Sequence, residues 1–258
     1  MKSFFFASLG KISRLFRNKR KLKLFSIYSL RYPLLCLRVT PSFEHFDVIR
    51  NLKPDLILDV GFNKGQFAAL CAIIYKNIPI LGFDPLKYSI YPYVNFMKTY
   101  LGSSFDFLNC ALSNRNAFEI MKESISCDSS SLFSPSDYNL ALYPSASPRG
   151  RDFYVVEAKF SDLIDISGTK QSLLKIDVQG YEYNVLKGIS ETQFKSIKWI
   201  YLELSDFEMY CGQQTRKDIH EFLLGKGYLL SKTANKYFNE YNDLIYCDCL
   251  YTRTSSPL

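Results

Sequence analysis

Two charged side chains stand together at the end of an apolar run in the second half of the chain. Lys175 and Asp177 are separated by one residue within the run Leu173–Val178. In a strand, residues two apart point to the same face, and burying two charges costs free energy unless they pair or serve a ligand. A structural ion pair is one interpretation. We favour a functional pair, because a ligand-binding turn is predicted elsewhere in the same fold.

A glycine-containing segment predicts that turn. The run Asp59-Val60-Gly61-Phe62-Asn63-Lys64-Gly65 follows a short apolar stretch and precedes a helical pattern. Glycine lets the backbone approach a ligand, and the start of a helix presents free N–H groups. A dinucleotide site would use G-x-G-x-x-G to seat a pyrophosphate. This chain has G-x-x-x-G, with Asn63 at the place of the second glycine. The spacing favours a ligand without a pyrophosphate and argues against a nicotinamide-dependent oxidoreductase.

Asp84 is the third candidate, because it ends the next apolar run along the chain. A carboxylate at this place in a nucleotide-binding α/β fold can accept hydrogen bonds from both ribose hydroxyls. The other interpretation is an ordinary aspartate that caps the turn before Pro85. Its position after the second predicted strand favours the ribose role.

The elements that must hold these residues alternate between short apolar runs and longer helical patterns. Strands separated by helices of this length imply right-handed βαβ crossovers and a parallel sheet, and the last two runs predict an antiparallel pair. We predict strands at 55–60, 78–83, 105–110, 173–178, 198–204, 228–230 and 244–249. We predict helices at 65–76, 88–101 and 215–224, and residues 183–188 as the end of a further helix.

One segment interrupts this alternation. Residues 124–151 contain nine serines and three prolines and few helix-forming residues. Long irregular segments in compact domains are usually functional or disordered. We therefore predict a loop or lid on the substrate side, within a domain that spans 41–258.

The chain resembles the FkbM family of S-adenosylmethionine-dependent methyltransferases from about Pro41 to Tyr251. The block that begins at Lys175 is the most specific part of this resemblance. The resemblance rests on the glycine turn and on four further motifs: Asp84-Pro85, Cys110-Ala111-Leu112-Ser113, Ser130-Ser131-Leu132, and Lys175-Ile176-Asp177-Val178-Gln179-Gly180-Tyr181-Glu182 with Val185, Leu186 and Gly188.

The resemblance implies a fold and an activity. The fold is an α/β class I methyltransferase, Rossmann-like, with a seven-stranded, mostly parallel sheet and a reversed last strand. The activity is usually O-methylation of a hydroxyl on a sugar, a glycan or a secondary metabolite, with S-adenosyl-L-methionine as the cofactor. The acceptor would then be a small molecule or a glycan.

The resemblance also implies roles for individual residues. Asp59 belongs to the cofactor turn, and Gly61, Asn63 and Gly65 line the methionine and ribose portions of the cofactor. Asp84 holds the ribose hydroxyls, and the segment from Asn109 to Ala111 lies near the adenine. Lys175, Asp177 and Glu203 face the transferred methyl group and the acceptor.

Two residues depart from the family pattern. Phe62 stands where many members carry a small residue, and we expect it to narrow the cofactor turn. Gln179 stands where a glutamate is common, which removes a charge near the site and weakens the case for a metal ion.

A hydroxyl acceptor must lose its proton during methyl transfer, so the site needs a base. Asp177 is the preferred base, with Lys175 orienting it or stabilising the developing alkoxide. Two alternatives stay open: a neutral Lys175 that exchanges roles with Asp177, and His220 as the base.

The net charge of +7 is unevenly distributed. Residues 1–38 contain ten of the 32 basic residues and no acid, whereas the remainder has 22 basic and 25 acidic residues. Within a basic N-terminal arm, residues 1–40, an apolar stripe at Phe5, Leu9, Ile12 and Phe16 predicts an amphipathic helix. Such a helix either packs on the domain, which we favour, or lies on an anionic membrane surface.

The arm suggests two rival functions. One is a non-catalytic adaptor with a methyltransferase fold that the arm recruits to membranes, and the other is a nucleic-acid methyltransferase. The joint presence of the glycine turn, Asp84 and the Lys175-Asp177 pair argues against the adaptor. The mildly acidic body argues against nucleic acid as a partner.

The cysteine and histidine content argues against a metal site. The seven cysteines are scattered, and the two histidines, His45 and His220, are far apart. No run approaches the roughly 20 apolar residues that span a bilayer, and the apolar start lacks a cleavage site. We expect an uncleaved, cytoplasmic protein without a metal, peripheral to the membrane if the arm binds lipid.

Overall fold

The computed structural model describes residues 41–254, without the side chains of 87–89 and 127. The N-terminal arm at 1–40, and with it the membrane contact predicted for 1–38, lies outside the described residues.

Ten strands form two sheets within residues 41–254. In chain order they are β1 Ile57–Val60, β2 Ile80–Phe83, β3 Phe105–Leu108, β4 Ala111–Ser113, β5 Ala117–Ser124, β6 Pro148–Lys159, β7 Ser172–Ile176, β8 Ile197–Ser205, β9 Tyr228–Phe238 and β10 Leu244–Arg253.

The larger sheet has seven strands in the order β3-β2-β1-β7-β8-β10-β9. β10 runs antiparallel to both of its neighbours, while the pairs on the other side of the sheet are parallel. This arrangement confirms the predicted seven-stranded, mostly parallel sheet with a reversed last strand. β1 and β7 are buried at every position, because strands in the centre of a parallel sheet are covered on both faces.

Helices and two apolar clusters cover the faces of this sheet. Two of the helices begin with a capping box, at Ser190 and at Thr215, which satisfies the free N–H groups of the first turn. The helices are α1 Phe46–Ile49, α2 Gln66–Ile74, α3 Lys87–Leu101, α4 Asp137–Leu142, α5 Phe160–Leu163, α6 Glu182–Lys187, α7 Glu191–Ser196 and α8 Arg216–Gly225.

Some predicted boundaries were wrong. The third strand ends at Leu108, so Asn109 lies after it and Ala111 opens β4. β9 extends to Phe238 instead of ending near residue 230, because it pairs with β10 along most of that strand.

The smaller sheet has the order β4-β6-β5 and was not predicted. β6 begins at Pro148, inside the segment predicted as a loop or lid. The rest of 124–151 contains α4 and two single turns of 3₁₀ helix, Cys127–Ser129 and Pro144–Ala146. The segment therefore has structure of its own, and its role as a lid stays a prediction.

None of the helices within residues 41–254 combines the length and the apolar character needed to cross a membrane.

Candidate active site

The glycine turn after β1 lies directly against the end of β7. Gly61 has a φ of +78°, and a Cβ built on it would lie 1.8 Å from the carbonyl oxygen of Asp177. The N–H of Asp177 donates to the carbonyl of Val60 at 3.0 Å. Only glycine fits at position 61, and the two sequence motifs therefore meet at one edge of the sheet, where α/β folds bind ligands.

Lys175 links the two motifs. Its Nζ donates to the carbonyl oxygen of Gly61 at 3.0 Å and lies 3.3 Å from Oδ1 of Asp59 and 3.5 Å from Oδ2 of Asp177. Burial alone would lower the pKa of Lys175, but the two carboxylates outweigh burial and raise that pKa above its ordinary value. Lys175 is a fixed cation, so the alternative in which a neutral Lys175 acts as the base is not supported.

Asp84 is fixed at the end of β2 by backbone donors. Its Oδ2 accepts from the N–H of Asn63 at 2.8 Å and its Oδ1 from the N–H of Leu86 at 2.9 Å. Burial raises the pKa of Asp84 to about 6, although both hydrogen bonds act to lower it. Asp84 is 7% exposed, and its two hydrogen bonds orient the carboxyl group before any ligand arrives.

Asn63 and Asp84 face a cleft of roughly 700 Å³ that is open to solvent, here called the β1–β2 cleft. The Oδ1 atom of Asn63 is buried and has no hydrogen-bond partner among the described residues. A buried acceptor without a donor is costly unless a ligand or water supplies one. The apolar part of the wall consists of Val60, Phe83, Pro85, Leu86, Ile90, Ala111, Leu112, Met121, Leu132 and Val178.

The loop after β7 orients Asp177. The Nε2 of Gln179 donates to Oδ1 of Asp177 at 2.9 Å, and the hydroxyl of Tyr210 donates to Oε1 of Gln179 at 2.8 Å. Oε1 of Glu182 accepts from the N–H groups of Val178 and Gly180, each at 3.1 Å. Asp177 lines the β1–β2 cleft and also the cavities beside it, so it stands at their junction.

The model of the methyltransferase FkbM domain matches residues 59–230, which include the glycine turn, Asp84 and the Lys175 block. The chain belongs to the FkbM methyltransferase family. No curated protein sequence matches the chain.

Several solved methyltransferase structures are similar in fold. Magnesium protoporphyrin IX methyltransferase from Synechocystis PCC 6803, with bound S-adenosylmethionine, is 11% identical, with a TM-score of 0.42 over 81% of this chain and 74% of that chain. Precorrin-6y C5,15-methyltransferase from Geobacter metallireducens is 10% identical, with a TM-score of 0.41 over 87% and 86%. 1,6-Didemethyltoxoflavin-N1-methyltransferase from Burkholderia thailandensis is 9% identical, with a TM-score of 0.41 over 98% and 90%.

Three predicted cofactor residues of the FkbM domain do not line the β1–β2 cleft. Asp59 is fully buried and interacts with Lys175, so it does not line the β1–β2 cleft. Gly65 begins α2 in a left-handed conformation. Asn109 donates from Nδ2 to the backbone carbonyl of Asp84 at 2.8 Å. The cleft itself is lined by the other four predicted cofactor residues, Gly61, Asn63, Asp84 and Ala111.

Phe62 does not narrow the turn, contrary to the prediction. Its ring is 1% exposed and packs against Phe105 and Phe107 at centroid distances of 5.5 and 5.4 Å. A Cβ on Gly65 or Gly82 would come within 2.6 or 2.7 Å of that ring. Phe62 therefore fills a space in the core that the two glycines leave open.

Glu203 joins the site from β8. It is half-buried, pairs in register with Asp248 of β10, and lines the cavities that Asp177 also lines. Burial first, and then the neighbouring carboxylates, raise the pKa of Glu203 well above its ordinary value. The structure thus brings together all three residues predicted to face the acceptor.

His220 lies elsewhere. Its ring packs beside Tyr251 at a centroid distance of 5.9 Å, and it is not among the residues that line the four cavities around Asp177. The alternative of His220 as the base is therefore not supported. Within residues 41–254, no three His, Cys, Asp or Glu side chains come together as a metal site.

Sequence reasoning missed several residues of the site. Asp128 accepts from Nδ2 of Asn63 at 3.0 Å and from Nζ of Lys64 at 2.6 Å, which ties the serine-rich segment to the glycine turn. Tyr210 and His45 reach the site from the loop after β8 and from the turn before α1. None of the three lies in a motif, and only the fold places them here.

Proposed function

We propose that this FkbM-family protein is an S-adenosylmethionine-dependent O-methyltransferase that acts on a hydroxyl of a sugar, a glycan or a secondary metabolite. The observation that carries this proposal is the direct connection between two sites. The β1–β2 cleft, with Asp84 and Asn63, opens onto the charged group of Lys175 and Asp177.

The cleft suits a nucleoside without a pyrophosphate. Asp84 offers a fixed carboxyl group to ribose hydroxyls, and the unpartnered Oδ1 of Asn63 needs a donor. The apolar wall can cover an adenine ring, since ligand sites combine apolar surface with a few fixed polar groups. When bound, S-adenosylmethionine would supply a methyl group already activated by its positive sulfur.

The residues at the junction would then hold the acceptor and remove its proton. Asp177 is half-buried and held on both oxygens, by Gln179 on one side and by Lys175 on the other. A carboxylate fixed in this way can accept a hydrogen bond from a hydroxyl and orient it for attack. Lys175 keeps Asp177 in place and offsets part of its charge.

Binding of S-adenosylhomocysteine to the full-length protein, measured by calorimetry, tests the first step of this proposal. We expect saturable binding that Asp84→Ala abolishes and that Asp106→Asn, an exposed aspartate on β3, leaves unchanged. A wild-type protein that does not bind this ligand would refute the proposal.

Methyl transfer onto a panel of neutral sugars, oligosaccharides and phenols, read as release of S-adenosylhomocysteine, tests the second step. Turnover of a hydroxyl acceptor supports O-methylation. Exclusive turnover of amines would refute it and leave the methyltransferase assignment standing.

A further inference from the structure

We propose that His45 is a further catalytic residue, which accepts the proton of the acceptor hydroxyl at Nε2 while Asp177 orients that hydroxyl. The inference rests on the proposed O-methyltransferase function. His45 lies before the stretch that matches the FkbM domain, at residues 59–230, so membership of the family does not assign it a role.

His45 lies at the edge of the site. It ends the 3₁₀ turn Phe43–His45 that precedes α1, and its side chain is 20% exposed. It lines two cavities beside Lys175, Asp177 and Glu203. A hydroxyl placed against Asp177 in this space would share the cavity with the imidazole.

The hydrogen bonds around His45 all reach one nitrogen. Nδ1 lies 3.1 Å from Oδ2 of Asp248 and 2.8 Å from the hydroxyl of Tyr201. That hydroxyl donates to the same Oδ2 at 2.8 Å, and Nδ2 of Asn235 donates to it at 2.6 Å. Asp248 is therefore surrounded by donors.

This network decides where the imidazole proton lies. Burial alone would raise the pKa of Asp248, but the hydrogen bond and the electrostatic attraction from His45, with the hydrogen bonds from Asn235 and Tyr201, outweigh burial and lower that pKa. An ionised carboxylate can only accept, so Nδ1 of His45 carries the proton and donates. In the neutral imidazole Nε2 is then the acceptor, and it has no hydrogen-bond partner within residues 41–254.

A histidine whose Nδ1–H points to a buried carboxylate is well suited to act as a base. The carboxylate fixes the tautomer and stabilises the imidazolium that forms. Asp177 is suited to orient the hydroxyl, because Gln179 donates to one of its oxygens and Lys175 lies beside the other.

The proton and electrons balance without a further reagent. The bond that forms joins the acceptor oxygen to the methyl carbon, and the bond that breaks joins that carbon to sulfur. The electron pair of the broken bond stays on sulfur, which loses its positive charge. The hydroxyl proton moves to Nε2 of His45 and leaves to solvent after product release.

The first test observes the tautomer and needs no acceptor. The chain has two histidines, so long-range ¹H–¹⁵N spectra of the full-length protein with labelled histidine contain two imidazoles, and His220→Asn assigns them. We expect His45 at pH 8 as the Nδ1–H tautomer, with and without S-adenosylhomocysteine. The Nε2–H tautomer would overturn the proposal. A hydrogen bond from S-adenosylhomocysteine to Nε2 would also overturn it, because that nitrogen would then not be available to the acceptor.

The second test uses His45→Asn, whose amide can keep the donor to Asp248 but has no Nε2. With the hydroxyl acceptor from the panel that reacts fastest, we expect kcat to fall at least about 100-fold, the range of a lost general base, with an unchanged Kd for S-adenosylhomocysteine. The matched control His220→Asn should retain full kcat. Unchanged kcat in His45→Asn, or a loss confined to cofactor affinity, would overturn the proposal. If no hydroxyl compound of the panel reacts, the proposal for His45 stands or falls on the tautomer measured in the first test.

Failure of the proposed function is distinguishable from failure of this inference. The first appears as a lack of cofactor-product binding by the wild-type protein. The second appears in a protein that binds and turns over but does not depend on His45.

Discussion

We expect cofactor affinity to depend on pH, because the carboxyl group of Asp84 in the β1–β2 cleft would bind the ribose. Burial raises the pKa of this group to about 6 in the free protein. Two ribose hydroxyls would both donate to the carboxylate, whereas protonation turns one of its oxygens into a donor and weakens this contact. Binding therefore favours the ionised group, and affinity should rise as the pH increases through 6 and level off above about 7.

The size of the effect follows from the fraction of Asp84 that is ionised. With a pKa of about 6, that fraction is roughly 0.9 at pH 7 and roughly 0.1 at pH 5. The Kd for S-adenosylhomocysteine should thus be about tenfold weaker at pH 5 than at pH 7, or about 1.4 kcal/mol. Binding at pH 5 should release about 0.9 protons per ligand, and binding at pH 7.5 almost none.

Isothermal titration at pH 5, 6, 7 and 7.5, in pairs of buffers with different ionisation enthalpies, measures both the Kd and the proton release. Asp84→Asn is the matched variant, because it keeps the size of the side chain and cannot ionise. It should bind more weakly at pH 7.5 and lose the pH dependence. A wild-type Kd that is constant from pH 5 to 7.5, or a variant that keeps the slope, would refute the reasoning.

A second titratable group near the site needs a control. Burial raises the pKa of Glu182 to about 7, but this residue faces the cavity beyond Gln179 and does not line the β1–β2 cleft. Glu182→Gln should therefore keep the pH dependence of binding. If this variant loses the dependence instead, the titrating group is Glu182 and not Asp84.

Three further predictions test other parts of the molecule. Asp177→Asn should lower kcat by about 100-fold because the acceptor hydroxyl loses the carboxylate that orients it for attack, with cofactor-product binding by calorimetry and the activity of Asp106→Asn both unchanged; full activity would contradict its role. Phe62→Ala should lower the free energy of unfolding in urea by about 3–5 kcal/mol, since it empties a closed space between two glycines; a loss below about 1 kcal/mol would show that the ring is not packed as described. If the arm lies on an anionic membrane, the alternative to packing on the domain, deletion of residues 1–38, which carry ten basic side chains and no acid, should abolish cosedimentation with anionic liposomes and preserve cofactor-product affinity; sedimentation by the truncated protein would exclude the arm as the membrane contact.

The central strands could be predicted from sequence because of where they lie in the sheet. β1 and β7 are covered on both faces, so they appear as short, mostly apolar runs, each with one charged residue, Asp59 or Lys175. The turn after β1 could also be predicted, because Gly61 marks a place where the chain passes so close to another backbone that no larger residue fits.

The smaller sheet could not be recognised in this way. β5 exposes Phe118 and Ile120 and buries Glu123, which reverses the usual pattern of burial. The serine-rich segment beside it looked irregular because its serines bond to the local backbone. Ser130 accepts at Oγ from the N–H of Ser124, and Ser136 caps α4 by accepting from the N–H of Asn139.

In the site, too, the positions of residues at strand ends could be predicted, whereas contacts between distant parts of the chain could not. The sequence placed Asp59, Asp84 and Asp177 at the ends of strands, but it could not decide which of them faces a ligand. The answer depends on the partner of each carboxylate: Asp59 is buried against Lys175, whereas Asp84 is held by backbone N–H groups beside a cleft. His45 and Asp248 lie more than two hundred residues apart, and no local pattern joins them.

Lys175 couples the glycine turn after β1 to the end of β7. Its ammonium group bonds to the carbonyl of Gly61 in the cofactor turn and pairs with Asp59 beneath it and Asp177 beside it. An isolated buried ammonium or carboxylate in this position would be costly, so the free energy of each group depends on the others. The cation therefore fixes the distance between the turn that would hold the cofactor and the carboxylate that would meet the acceptor. In-line methyl transfer depends on such a distance, because a small misplacement of the reacting atoms costs much of the rate.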